Sequence, residues 1–174
     1  TMVTLSSLGV ETTLAGSIGN DQLGDMYRTQ LKKSGVIDQL VTKDGATTGT
    51  SIILLTPDKE RTMNTYLGAN RLYSEDDVIE KSVEEADLFY FTGYMWDTET
   101  QQKSVMKALE ICKRMGKKIA FDVADPFAVG RYRQTFHNII SQYCDIVFAN
   151  SEEARFLMDN YDPYECCKSL GKLC

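Results

Sequence analysis

The segment 88–122, which reads LFYFTGYMWDTETQQKSVMKALEICKRMGKKIAFD, contains the pattern that decides the fold. Its first five and last five residues form short apolar runs of the length of buried β-strands. Between them, Thr98 and Gln101 have the spacing of a capping box, and Gly116 follows the predicted helix as a stop signal. A strand, a helix and a second strand in this order predict a right-handed βαβ unit with parallel strands.

The predicted helix 98–115 carries one apolar stripe at helical spacing, and we expect this stripe to pack against the sheet. Its members are Val105, Ala108, Leu109, Cys112 and Met115.

The same alternation extends to both sides of this segment. A strand is predicted at 13–18, and Asp21 and Gly35 have the positions of a cap and a stop for the helix after it. A polar helix is predicted from Ser74 to about Val83, and a further helix and a strand at 146–149 follow segment 88–122. Strands that alternate with helices indicate an α/β protein with a parallel, Rossmann-like sheet flanked by helices.

The region between 39 and 66 differs from the rest because it consists of short β-branched runs. The runs 51–55 and 62–66 are separated by 56–60, which contains a Pro-Asp turn signal. These residues predict a β-hairpin. After Tyr161, Pro163 interrupts the pattern, so we expect the C-terminal part of the fold to be incomplete.

Composition limits the classes of partner. The 174 residues are 43% hydrophobic, enough for a sizeable core, and the formal net charge of −6 offers no basic surface to nucleic acid. No apolar run approaches the length of a membrane span, and the first residues lack a secretion signal, so we expect a cytoplasmic protein without a membrane partner. The five cysteines lack Cys-x-x-Cys spacing, which favours reduced thiols over a zinc site.

In open parallel sheets, ligands bind at the carboxyl ends of the strands, so the residues after each predicted strand are candidates for a site. The first such junction is a glycine-rich turn, GSIGNDQLG at 16–24. It matches neither a P-loop nor Gly-x-Gly-x-x-Gly. Its glycines could belong to a binding loop, or could permit positive φ and close packing of the helix on the sheet.

Several motifs together, in their order along about 5–157, resemble the PfkB/ribokinase family of small-molecule kinases, and adenosine kinase-like members most. They are LSSLG at 5–9, G-x-x-G-x-D-x-x-G at 16–24, L-x-x-x-G-V at 31–36, TGT at 48–50, ERT at 60–62, GAN at 68–70 and FANSEEA at 148–154.

The resemblance implies a ribokinase-like fold, with an α/β core formed by 1–38 and 68–174 and a β lid formed by 39–67. It implies transfer of the γ-phosphoryl group of ATP to a primary hydroxyl of a nucleoside or sugar, with ATP and Mg²⁺ as cofactors. It also implies a homodimer through the lid, as occurs in some members of the family.

Asn150 and Glu153 match the Asn-x-x-Glu motif of the family, which lies near the phosphates and holds magnesium partly through water. The same spacing fits a helix cap, and both roles can hold together. Asp122 follows a predicted strand, and by the resemblance it faces the phosphate region. For Asp125, a helix-initiating Asp-Pro turn is the alternative to a second carboxylate in the site.

Tyr94 aligns with the aromatic residue that nucleoside-phosphorylating members stack on a base, where ribose-specific members have a carboxylate. An aromatic face suits a purine, so the resemblance favours adenosine, with a ribose or fructose kinase as the alternative. Thr50, Asn64 and Gly68 match the lid and its return to the core, and are further candidates for substrate binding. Trp96 is expected to pack in the core.

Four other residues are weaker candidates. Arg61 could contact substrate from the hairpin, and Arg131 and Arg133 could reach a phosphate, but such residues are more often solvated charges. His137 lies on a predicted helix beside apolar residues and is expected to be a surface or half-buried histidine.

The catalytic aspartate of the family lies in a Gly-Ala-Gly-Asp motif that does not occur within these 174 residues. We therefore expect the parent protein to be a kinase and residues 1–174 alone to be inactive, since loss of a general base typically costs about 10²- to 10⁴-fold in rate. A non-catalytic, ligand-binding Rossmann-like module is the alternative from another class.

Overall fold

A computed structural model describes all residues from Thr1 to Cys174. The strands are β1 (Thr13–Gly19), β2 (Ile37–Lys43), β3 (Thr50–Leu55), β4 (Arg61–Tyr66), β5 (Leu88–Thr92), β6 (Lys118–Asp122) and β7 (Ile146–Phe148). The α-helices are α1 (Met2–Ser7), α2 (Gln22–Lys33), α3 (Glu80–Glu85), α4 (Glu99–Met115), α5 (Pro126–Tyr143), α6 (Ser151–Met158) and α7 (Pro163–Leu170). Short 3-10 turns occupy Gly68–Leu72, Glu75–Asp77 and Gly93–Trp96.

The chain divides into two compact units, Thr1–Tyr73 and Ser74–Cys174. In the second unit, β5, β6 and β7 form a parallel sheet in that order. Thr92 pairs with Asp122, which pairs with Phe148, so the carboxyl ends of the three strands are aligned. The predicted βαβ arrangement is confirmed.

Helix α4 has the predicted ends, since the Thr98 side chain accepts a hydrogen bond from the Gln101 amide and Gly116 adopts a left-handed conformation. Four members of its apolar stripe are buried. Met115, the last residue of the helix, is instead 46% exposed and lies outside the core cluster, so the stripe packs along only part of its predicted length.

Aromatic side chains form the centre of this core. The ring of Phe121 stacks on that of Phe91 with centroids 4.7 Å apart, and it meets the edge of Phe136 at 5.1 Å. Such pairs contribute about 0.5–1.5 kcal/mol beyond the burial of their area. They join the sheet to helix α5 and so fix the strand ends that carry the pocket described below.

The first unit contains a parallel pair, β1 and β2, in which Thr13 pairs with Ile37. Strand β2 was not predicted, and neither was helix α1. The Arg28 guanidinium joins helix α2 to β2 through an ion pair with Asp38 at 2.5 Å and a hydrogen bond to the Leu40 carbonyl oxygen at 2.6 Å. A small apolar cluster lies under this pair and contains Ile18, Leu31, Val36 and Leu40.

Strands β3 and β4 form the predicted hairpin, which is antiparallel, and every residue in both strands is exposed. Strand β2 continues to Lys43, within the range 39–67 that the sequence assigned to the lid. The limits of the lid therefore stay a prediction.

One local prediction was wrong, because the polar helix predicted from Ser74 is split into the 3-10 turn Glu75–Asp77 and helix α3. Pro163 follows the break after α6 and begins α7, which was not predicted, at its first position, where a missing amide costs nothing, and Asp162 caps this helix. None of the helices is both long and apolar enough to cross a bilayer.

Candidate active site

A pocket of about 490 Å³ lies at the carboxyl ends of β5, β6 and β7 in the second unit. Parallel strands present these ends at one edge of the sheet, which is where open α/β sheets bind ligands. The pocket is lined by Thr92, Tyr94, Asp122, Ala124, Phe148, Ala149, Asn150 and Glu153. It therefore brings together four of the predicted residues: Tyr94, Asp122, Asn150 and Glu153.

Asp122 is held in place by two hydrogen bonds. The Tyr90 hydroxyl donates to its Oδ2 at 2.8 Å, and the Ala124 amide donates to its Oδ1 at 3.1 Å. Sequence reasoning missed Tyr90. The sequence alone carried no signal for it, because Tyr90 reaches Asp122 only through the register of β5 with β6, in which Thr92 pairs with Asp122 and Tyr90 lies on the same face of β5 as Thr92.

The loop after β6 has an unusual backbone, since Ala124 adopts a φ of 73°. A non-glycine residue in this region is uncommon and costs of the order of 1–3 kcal/mol, so neighbouring contacts must hold it. The Ala124 amide bonds Asp122, and its carbonyl oxygen accepts a hydrogen bond from the Tyr94 hydroxyl at 3.2 Å. Two pocket residues thus fix the strained loop.

Asp125 caps helix α5, because its Oδ1 accepts a hydrogen bond from the Phe127 amide at 2.6 Å and Pro126 occupies the first helical position. The helix-initiating interpretation of Asp125 is confirmed. Its other oxygen lies 3.5 Å from the Tyr94 hydroxyl.

Tyr94 presents an exposed ring at the pocket, with 53% of the residue accessible. Burial of its hydroxyl, followed by the nearby charge of Asp125, raises the pKa of the phenol above its usual value. The hydroxyl therefore stays protonated and remains a donor at neutral pH. Trp96, in contrast, is 3% exposed and meets the Phe136 ring edge-on at 6.1 Å, as predicted for a core residue.

Asn150 and Glu153 form a complete capping box at the start of α6. Oδ1 of Asn150 accepts hydrogen bonds from the Glu152 and Glu153 amides, both at 2.9 Å. The Glu153 carboxylate accepts hydrogen bonds from the Asn150 backbone amide at 2.9 Å and from the Asn150 side-chain NH₂ at 2.7 Å. The cap is confirmed, and the role of the pair at phosphate or magnesium stays a prediction.

The lining of the pocket contains the carboxylates of Asp122 and Glu153 and no lysine or arginine. No three His, Cys, Asp or Glu side chains of the chain cluster closely enough to hold a metal ion by themselves. Carboxylate and amide oxygens are nevertheless ligands that suit Mg²⁺, which often keeps several of its waters. The residues fit a magnesium ion held partly through water.

The other predicted substrate-binding residues lie in the first unit. Thr50 pairs with Tyr66, and Asn64 pairs with Ile52, so alternation along the strands places Thr50 and Asn64 on one face of the hairpin. Gly68 adopts a φ of 54°, and the backbone of Thr47 and Gly49 fills the space that a side chain would need. The structure thus gives Gly68 a backbone role, and its contact with substrate stays a prediction.

The glycine-rich turn 16–24 packs closely but without positive φ, so the expectation of positive φ was wrong. A Cβ on Gly19 would come within 2.6 Å of the Thr48 amide nitrogen. The turn also contains Asp21, which caps α2 as predicted and bonds Thr48 as well. No local pattern indicates the second contact, because 27 residues separate the two.

None of the four weaker candidates lines the pocket. Arg61 is exposed on the hairpin, and Arg131 is exposed beside the Tyr132 ring. Arg133 donates to the Leu157 carbonyl oxygen at 2.9 Å, and half-buried His137 contacts the same oxygen at 2.7 Å. These last two side chains join α5 to α6.

All five cysteines are free thiols. Burial raises the pKa of Cys112 to about 11 and that of Cys144 to about 12, so both thiols are protonated at neutral pH.

A parallel sheet flanked by helices, with a carboxylate-lined pocket at its strand ends, defines an open α/β protein, a class in which such pockets are the usual place for small ligands. The particular family follows from a match over residues 1–173 to the pfkB family of carbohydrate kinases, and the chain belongs to this family.

Three of the relatives illustrate the similarity. The chain is 34% identical to an adenosine kinase from Sinorhizobium meliloti, with a TM-score of 0.94 over 99% of this chain and 54% of that one. It is 32% identical to a probable sugar kinase from Rhizobium etli CFN 42, with a TM-score of 0.94 over 99% of this chain and 53% of that one. It is 28% identical to the probable fructokinase-3 of Arabidopsis thaliana, over 91% of this chain and 48% of the relative. The chain thus spans about half the length of the relatives that it matches.

Proposed function

We propose that the intact protein transfers the γ-phosphoryl group of ATP to a primary hydroxyl of a nucleoside, with adenosine as the preferred acceptor. The observation that carries this proposal is the exposed ring of Tyr94 at the pocket formed by the strand ends. The 34% identity to an adenosine kinase over almost the whole chain supports it. An aromatic face can stack on the flat ring of a purine base.

The side chains of the pocket have distinct proposed tasks. Tyr94 stacks on the acceptor base, and its ring is held in place by the hydrogen bond to Ala124. Glu153, with Asn150 and Asp122, holds magnesium through water in the phosphate region. Bound ATP and Mg²⁺ would supply the phosphoryl group and neutralise its charge. That neutralisation matters because the pocket lining contributes only negative formal charge.

A sugar acceptor is the second candidate, because several fructokinases are among the relatives, including one that is 28% identical over 91% of this chain. The hairpin, with Thr50, Asn64 and Gly68, is proposed to serve as the substrate lid in either case. The free thiols support a reducing compartment such as the cytoplasm, which subcellular fractionation would test.

Steady-state kinetics of the intact protein on adenosine, ribose and fructose distinguish the two acceptors. We expect the highest kcat/KM with adenosine. Replacement of Tyr94 by Leu should lower that value about fivefold to 150-fold, because stacking contributes about 1–3 kcal/mol per base. The matched variant Tyr94→Phe keeps the ring and loses only the hydrogen bond to Ala124, so it should lose clearly less activity than Tyr94→Leu. A preference for ribose or fructose, or equal loss in both variants, would contradict the stacking role.

We further propose that two copies associate through the hairpin. Its two faces both carry large exposed apolar side chains, and an isolated two-stranded hairpin is marginally stable in water. On one face these side chains are Ile53, Leu55 and Met63, and on the other they are Ile52, Leu54 and Tyr66. Since Thr50 and Asn64 share the second face, the first face is the one proposed to meet the other copy.

A further inference from the structure

The hairpin is connected to the rest of the first unit by two backbone segments, 46–49 and 67–69, which together we call the neck. The Ala69 amide donates to the Thr47 carbonyl oxygen at 2.8 Å. A Cβ on Gly49 would come within 2.6 Å of the Leu67 carbonyl oxygen, so the two segments are in direct backbone contact. The chain enters and leaves the hairpin at a closely packed crossing.

One carboxylate joins this neck to the turn between β1 and α2. Oδ1 of Asp21 accepts hydrogen bonds from the Gly24 amide at 2.9 Å and the Thr48 hydroxyl at 2.6 Å, and Oδ2 accepts the Thr48 amide at 2.7 Å. The Thr48 hydroxyl oxygen in turn accepts the Gly19 amide at 3.0 Å. Thr48 is thus bonded through both its backbone and its side chain to residues of one turn.

Helix capping accounts for only one of the two carboxylate oxygens. The cap of α2 is the bond from the Gly24 amide to Oδ1, and asparagine or serine would cap the helix about as well. The other oxygen, Oδ2, accepts its hydrogen bond from the Thr48 amide in the neck. The hydrogen bonds from Thr48 lower the pKa of Asp21, so the group is a charged acceptor at neutral pH, and charge-assisted hydrogen bonds are about twice as strong as neutral ones.

We propose that Asp21 is a positioning residue that fixes the hairpin relative to β1 and α2 by holding Thr48 in the neck. Packing contributes little to this orientation, since every residue of β3 and β4 is exposed. A neck in which the backbone segments touch and Thr48 makes three hydrogen bonds, through its amide and its hydroxyl, leaves few free rotations at the base of the hairpin. The consequence for substrate rests on the proposed function of the hairpin as a lid, whereas the structural role does not.

Hydrogen exchange of the backbone amides in the intact protein tests the structural role. In Asp21→Asn, an NH₂ group replaces one carboxylate oxygen and cannot accept the hydrogen bond from the Thr48 amide. The remaining oxygen can still accept the hydrogen bond from the Gly24 amide that caps α2. We expect amides within 50–55 and 61–66 to exchange about tenfold faster, because a hydrogen bond to a charged group is lost. Amides of α2 and β6 should be unchanged.

Asp25→Asn is the matched control, because it removes the same charge from an exposed position in the first turn of the same helix. It should leave exchange in the hairpin unchanged. Thr48→Val should reproduce the effect of Asp21→Asn, whereas Thr48→Ser, which keeps the hydroxyl, should not. Unchanged exchange in the hairpin of Asp21→Asn, or equal acceleration across α2 and the hairpin, would show that Asp21 serves only as a cap.

Kinetics of the same variants test the consequence for substrate. If Asp21→Asn misorients the lid, KM for the acceptor should rise about tenfold with a smaller change in kcat. Partial unfolding of the variant would instead lower the fraction of active protein and leave KM unchanged. If hairpin exchange rises and KM does not, Asp21 positions a hairpin that is not the lid. If the intact protein phosphorylates no acceptor, the exchange result still decides the role of Asp21.

Discussion

At the residue scale, Glu153 combines a structural task with a proposed chemical one. The side chain is 6% exposed, and each of its oxygens accepts one hydrogen bond from Asn150. A carboxylate oxygen has a second lone pair, so each oxygen can still accept a bond from a magnesium-bound water. The capping box therefore orients the carboxylate at the pocket without using up its capacity as an acceptor.

Replacement of Glu153 by Gln separates these tasks in the intact protein. The glutamine side chain keeps one acceptor oxygen for Asn150 and has an NH₂ group in place of the other. One hydrogen bond is therefore lost, and we expect the free energy of unfolding to fall by about 1 kcal/mol. If the carboxylate also holds magnesium, the Mg²⁺ concentration for half-maximal activity should rise at least tenfold. Glu152→Gln removes the same charge from the exposed neighbouring position and should leave the Mg²⁺ dependence unchanged. If the Mg²⁺ concentration for half-maximal activity is the same in Glu153→Gln and Glu152→Gln, Glu153 serves only as a helix cap.

At the scale of elements, the hairpin differs from every other strand pair because it has no buried side. Alternation along β3 and β4 divides its apolar side chains between two faces, and a buried face is normally what specifies register and sidedness. The proposed association assigns the face with Ile53 to a second copy and the face with Thr50 to substrate.

Lysine substitutions on the two faces test this assignment. We expect Ile53→Lys to raise the dimer dissociation constant at least tenfold, because a charge would be buried in an apolar contact. Leu54→Lys, on the opposite face, should keep the dimer and impair substrate binding. Sedimentation velocity over a range of concentrations measures the dimer dissociation constant of each variant, and the KM for the acceptor measures the effect on substrate binding. A monomeric parent protein, or a dimer that tolerates Ile53→Lys, would exclude this interface.

At the scale of the whole molecule, the pocket residues have proposed roles with substrate and magnesium, and none of them is assigned as the general base. We therefore expect a protein limited to residues 1–174 to show no ATP-dependent phosphorylation of adenosine, whereas the intact protein should be active. The measurement is a coupled assay of ADP release, with circular dichroism to establish that the shorter protein is folded. Phosphorylation of adenosine by residues 1–174 would show that the base lies within them.

Local patterns in the sequence determined most of the elements of this protein. The caps at Thr98, Asp125 and Asn150, the hairpin and the alternation of strands and helices were all predicted correctly, because each depends on hydrogen bonds or periodicity within a few residues. The family resemblance then indicated which strand ends carry the site. Pro163 shows the limit, since the same residue can begin a helix or interrupt one.

Only the tertiary structure decided which of these local features meet. The pairing of β2 with β1, the bond from Tyr90 to Asp122 and the bonds from Thr48 to Asp21 join residues that are 24 to 32 positions apart. No short-range preference of the backbone specifies such contacts. They form because packing within each unit brings distant segments together, so that their partly buried polar groups become hydrogen-bond partners.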